Sequence, residues 1–180
     1  ILHSSFFISQ NLVPNPSFEN YTVCPSTAAN ITDCSSWMNF GNTPDYFNAC
    51  APIGINVPNC NFGYQYAHSG VGMTGILTWL NPVGSSGPNY REFMGTPLSN
   101  TLQIGIKYYM SFFINYSGYP NNGSQSMVAS NKIGIKFSTV ATNSSNPYPL
   151  NNLAHLYTTI IYKDTVNWLK ISGSFVADSA

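Results

Sequence analysis

The sequence predicts an all-β fold, an antiparallel β-sandwich, and three observations predict it. Uncharged turn-forming residues supply the polarity, with 22 Asn, 22 Ser, 14 Gly and 12 Pro. From Phe62 onward, short apolar runs recur between turn clusters, the spacing of sandwich or barrel strands. No stretch has the periodicity of an amphipathic helix. At 180 residues the chain makes one domain, long enough to bury roughly two thirds of the surface it exposes unfolded.

The elements follow in order. Residues 1–8 (ILHSSFFI) form a short apolar run that ends in Ser9-Gln10, and residues 1–10 read as the tail of a secretory signal peptide. A first β-strand is the alternative. Residues 11–61 are dense in Pro, Asn, Cys and Ser, and are expected to be loops around one short strand. Strands are then predicted over 64–68, 73–80, 90–94, 107–116, 132–138, 155–163 and 167–176.

Some strands report their faces. In 132–138, Ile133, Ile135 and Phe137 alternate with Lys132, Gly134, Lys136 and Ser138, a half-buried antiparallel pattern with a wet lysine face. In 107–116 both alternating sets are apolar, as in a central strand covered on both sides. In the last strand Leu169, Ile171 and Phe175 share one face, leaving Trp168 and Lys170 on the other. The chain stops directly behind that strand and reads as incomplete at its C-terminus.

Charge narrows the function. Six acidic and six basic residues make 7% of the chain, with zero formal net charge. Nucleic-acid binding needs a basic face, which this composition does not offer. Zero net charge and an aromatic content of 14% disfavour a disordered acidic tail. No run approaches the 18 apolar residues of a membrane span, so no direct span is expected. Cys24, Cys34, Cys50 and Cys60 read as the disulfide framework of an exported protein. Three connectivities are open, and sequential pairing, 24 with 34 and 50 with 60, is favoured. No C-x2-C spacing suggests zinc.

Catalytic groups are few. The acids are Glu19, Asp33, Asp45, Glu92, Asp164 and Asp178, and the histidines His3, His68 and His155. No H-E-x-x-H, G-x-S-x-G or phosphate-binding glycine loop is present. His68 and Ser69 are strand neighbours that point apart, and His68 is expected to bond locally. A non-local pair such as Asp45 with Glu92 is the remaining route to an enzyme. Neutral sugars, by contrast, are held by aromatic faces with amide and hydroxyl groups, which this chain has in quantity. The candidate ligand contacts are Trp37, Tyr46, Trp79, Tyr90, Arg91 and Glu92.

The run 11–19, NLVPNPSFE, resembles the opening strand of galactose-binding-like jelly rolls, the fold of many carbohydrate-binding modules. NYTVCP, DCSSW, the segment 41–51, VPNCNFGYQYAHSG, NYREFM and IKYYMSFFINYS extend the likeness over about residues 11–175. Together they resemble an N-terminal domain of secreted Bacteroidota surface proteins, which often precedes outer-membrane-protein-A-like or gliding-motility-associated C-terminal domains. The resemblance implies a jelly roll whose closing strand lies beyond Ala180. It implies that Glu19 helps hold a structural calcium with an acid on that closing strand. Cys60 departs from the pattern, where an Asn is usual. The expectation is a non-catalytic extracellular binding or adhesion module, contacting a neutral glycan or cell-surface polymer at the outer face of the outer membrane. A structural spacer or protein-protein adhesin is the first alternative, and a small glycoside hydrolase the second.

Overall fold

A computed structural model describes residues 10–78, 90–117, 129–140 and 153–180. Among them the fold is all-β. A single 3-10 turn over Ile31–Asp33 is the only helical element of the described residues. Ten strands follow in order: β1 (Met38–Gly41), β2 (Asp45–Asn48), β3 (Asn59–Cys60), β4 (Gly63–Tyr64), β5 (Gly72–Gly75), β6 (Phe93–Gly95), β7 (Lys107–Ile114), β8 (Gly134–Ile135), β9 (Leu156–Tyr157) and β10 (Leu169–Val176). They form five two-stranded antiparallel sheets: β1–β6, β2–β5, β3–β4, β7–β10 and β8–β9.

Each predicted strand that falls on described residues overlaps a shorter one, with β4, β5 and β6 each extending one residue beyond the predicted bounds. Residues 64–68 keep strand pairing only at Tyr64: Gln65 N–H still donates to Pro58 O in register with the Asn59–Tyr64 pair, but Pro58 has no N–H to return the bond. Residues 11–61 hold three strands rather than one. Asn15 supplies what periodicity did not signal in the run before them: its Nδ2 donates to Asn20 O and Ser35 O, and its Oδ1 accepts from Asn20 N–H. Side-chain amides thus replace ladder bonds in the Asn-rich entry.

Two buried clusters organise this first half. Ile31, Cys34 and Tyr46 form one, with Phe18, Trp37 and Met94 packed on it. Phe47, Ala51, Ile55, Val57, Cys60 and Met73 form the other, with Phe62 and Trp168 against it. Strand β2 lies between them, and all four of its residues are buried. That placement is why Tyr46 and Phe47, on opposite faces of one strand, enter different clusters.

The cysteines pair differently from the sequential expectation. Cys24 bonds Cys50, with Cα atoms 6.1 Å apart. Cys34 follows the 3-10 turn as an unbridged buried thiol, and Asn15 Nδ2 donates to its sulfur at 3.3 Å. Burial pushes its thiol up to about 12, so it stays protonated. Cys60 lies buried in the Phe47 cluster. The bridge spans 26 residues, and the chain-entropy estimate for such a loop is about 3.5 kcal/mol. Replacing both Cys24 and Cys50 by Ser should therefore lower urea-unfolding stability by about that much. The pair Cys34→Ser and Cys60→Ser should leave the disulfide intact by mass spectrometry.

The long ribbon β7–β10 shows strict alternation. Tyr108, Met110, Phe112 and Ile114 face inward opposite Leu169, Ile171, Gly173 and Phe175. Phe137, next to β8, stacks on Phe175 with ring centroids 4.9 Å apart, and Leu156 of β9 lies against Gly173. The face predicted for 132–138 holds, with its lysine side exposed. The prediction that 107–116 is covered on both sides does not. Tyr109 is 84% exposed, and its neighbours across the ribbon, Ser174 and Ser172, are exposed with it. No helix among the described residues is long and apolar enough to cross a membrane.

Candidate functional site

The predicted contacts fall into three places. Tyr46 is wholly buried, its hydroxyl donating to Phe18 O at 2.8 Å and accepting from Asn48 Nδ2 at 2.9 Å. A stacking platform needs an open face, so Tyr46 is a core residue and not a ligand contact. Trp37 is half-buried against Phe18 at 4.8 Å, and its Nε1–H donates to Asn15 O. Trp79 lies outside the described residues.

Tyr90, Arg91 and Glu92 are brought together with the β1–β2 turn. Asn42 takes a φ of 59°, a conformation Asn tolerates, and its amide donates to Arg91 O. Thr43 is thereby set beside Glu92. Glu92 is 4% exposed and fully engaged: Oε1 accepts from Thr43 Oγ1 at 2.8 Å and Tyr90 OH at 3.2 Å, and Oε2 accepts from Leu77 N–H at 2.7 Å. Asp45 is 7% exposed and accepts from Ala29 N–H at 2.6 Å.

Burial raises both acids, Glu92 to about 7 and Asp45 to about 6, and the charge of Asp45 pushes Glu92 in the same direction. Burial likewise raises the Tyr90 phenol. The pair named from sequence therefore does share an electrostatic environment. Glu92's oxygens are committed to tying the β1–β2 turn, the end of β5 and the approach to β6 to one another, and Asp45 Oδ1 to Ala29 N–H. Arg91 is half-buried and contributes its carbonyl to that tie.

Glu19 also serves the backbone. Its carboxylate accepts from Val71 N–H at 2.9 and 3.1 Å and from Gly72 N–H at 2.9 Å. Gly70, with φ of 65°, leaves room that any Cβ would take from this carboxylate. Calcium asks for six to eight oxygen ligands. No group of three or more Asp, Glu, His or Cys gathers among the described residues.

Sequence reasoning missed an aromatic surface. Tyr64, Tyr66 and His68 alternate outward, while Gln65 and Ala67 turn inward. Tyr64 and Tyr66 are 62% and 63% exposed and meet edge to face at 5.7 Å. Trp168 Nε1–H donates to Tyr66 O at 3.0 Å, which joins this segment to the start of β10. His68 stacks on Phe113 with centroids 3.5 Å apart and meets Trp168 edge-on at 6.2 Å. Lys170 Nζ lies 6.0 Å from the Phe113 ring, across the β7–β10 pairing. Tyr64, Tyr66, Trp168, His68 and Phe113 thus form one continuous strip.

Comparison of the chain with protein-family models, curated proteins and solved structures finds no match. The strip and the buried acids are therefore argued from their own chemistry. A signal for the strip was present in the sequence. Three period-two series, 64–66–68, 109–111–113 and 168–170–172, each put aromatic, lysine or serine side chains on one side. What the series do not reveal is that the three sides coincide.

Proposed function

We propose that this chain is a non-catalytic extracellular binding or adhesion module of jelly-roll type, part of a larger surface protein, that contacts glycans through the strip of Tyr64, Tyr66, His68, Phe113 and Trp168. The observation that carries the reading is the continuity of these rings, with Tyr64 and Tyr66 more than half exposed and Trp168 half-buried beneath them. Exposed rings have an unmet apolar surface, and the C–H faces of pyranose rings are the polar-ligand surfaces best able to cover them. Singly exposed aromatics are ordinary, but a contiguous patch marks a contact surface. The Cys24–Cys50 bridge supports an oxidising compartment, hence export.

The test is a titration of the oxidised chain with a panel of soluble polysaccharides, read by tryptophan fluorescence and calorimetry. Saturable binding is expected, weakened about tenfold or more by Tyr64→Ala with Tyr66→Ala, since each stacked ring contributes roughly 1 kcal/mol. Both side chains are more than half exposed, so the variant should keep its thermal midpoint. Absence of binding across the panel would overturn the proposal in favour of a structural spacer or protein-protein adhesin.

A further inference from the structure

The charge of this chain is zero only in sum. Glu19, Asp33, Asp45 and Glu92 precede residue 101 with Arg91 as the one cation there, while Lys107, Lys132, Lys136, Lys163 and Lys170 follow it with Asp164 and Asp178. The outer face of β7–β10 sharpens this division. It consists of Lys107, Tyr109, Ser111 and Phe113 opposite Val176, Ser174, Ser172 and Lys170, with no acidic residue. Each end pairs a ring with a cation. Lys107 is two residues from Tyr109 on the same side, and Lys170 lies directly across from Phe113. The rings stand four residues apart, roughly 13 Å along the strand, with the three serines between them.

We infer that this face takes an extended acidic polysaccharide, a linear polymer bearing carboxylate or sulfate groups, in preference to a neutral one. The inference rests on the glycan-binding function proposed above and names its ligand class. A sugar ring covers Tyr109 or packs beside Phe113, one face of which His68 already covers, its acidic group meets the adjacent ammonium, and the serine hydroxyls bond the sugars that bridge the two stations. Tyr109, 84% exposed, and the exposed serines are open to such a chain. The site is elongated and flat, which suits a polymer rather than a single terminal sugar. Beside Lys170 and Ser172 it dips into an open groove of about 320 Å³, lined also by Tyr157 and Thr159, which adds hydroxyls at one end. The absence of carboxylates on this face removes the repulsion that a polyanion would meet elsewhere on the molecule.

Calorimetric titrations of the oxidised chain decide the matter. The polymers are dextran, dextran sulfate, polygalacturonate and a single-stranded oligothymidylate, at low and high salt. Binding to polygalacturonate or dextran sulfate is expected to be at least about tenfold tighter than to dextran at low salt and to weaken as salt rises. The comparison of those two polymers separates carboxylate from sulfate recognition. Lys107→Gln with Lys170→Gln should remove the preference, whereas Lys136→Gln should leave it intact. Equal affinity for dextran, an unaltered preference in the double variant, or tighter binding of the oligothymidylate would each overturn the inference. The first two leave the glycan-binding function standing. Failure of every polysaccharide to bind would overturn both.

Discussion

Thermal unfolding of the oxidised chain is expected to shift to lower temperature as the pH rises from about 4.5 to about 8. The cause is the buried pair Glu92 and Asp45, raised to about 7 and about 6 from ordinary values of 4.5 and 3.8. In that window the folded chain holds protons that the unfolded chain has released, so the slope of unfolding free energy against pH is negative. Stability from these groups is full below the unfolded values and is lost as pH passes through about 6 and then about 7. At 1.36 kcal/mol per unit, each group accounts for up to about 3 kcal/mol. Asp164, lowered by bonds from Asn167 and Val166, acts with the opposite sign and only in more acidic solution. Glu92→Gln imitates the protonated acid and should flatten the upper part of the profile, and Asp45→Asn the lower part. A midpoint that is constant or rises between pH 5 and 8 would show that both carboxyls ionise in the fold as they do in water.

Tyr46→Ala is expected to cost about 4 kcal/mol in urea unfolding, the range for a large aromatic removed from a packed core. Tyr46 is 0% exposed and belongs with Ile31 and Cys34 to the cluster that holds Phe18, Trp37 and Met94. Its loss empties that cluster from the strand side. Tyr46→Phe separates packing from hydrogen bonding. It leaves Phe18 O and Asn48 Nδ2 without the hydroxyl that joins them, at a cost of about 1–3 kcal/mol. If Tyr46 instead contacts ligand, both variants will lose binding while keeping the wild-type unfolding curve, the reverse of the expected pattern.

The two results bear on how aromatic side chains divide their work. From the sequence, Tyr46 is expected to contact ligand from the loop-rich first third and Tyr109 to lie in a strand covered on both sides, and the fold reverses both. One lies between two clusters and the other on an open ribbon face. Residue type could not separate them, because β2 is buried on both faces and β7 on one. Glu92 was singled out as one of few charges, but its environment came from Thr43 and Leu77, 49 and 15 residues away. Glu19 stands out by its motif, but its partners in the fold, the amides of Val71 and Gly72, lie 52 and 53 residues away.

The sequence by itself determined the all-β class, the position of the long strands and the facing of Ile133, Ile135 and Phe137, or of Leu169, Ile171 and Phe175. These are properties of alternation and turn chemistry, which act over a few residues and are written in their order. Only the tertiary structure decided that Cys24 joins Cys50, that Glu92 and Asp45 are buried within each other's field, and that Tyr64, Tyr66, His68, Phe113 and Trp168 share one surface. Each of these depends on which strand lies beside which. That choice is made by long-range packing of the two clusters around β2 and of Phe137 on Phe175, contacts between residues whose separation in sequence carries no periodic signal.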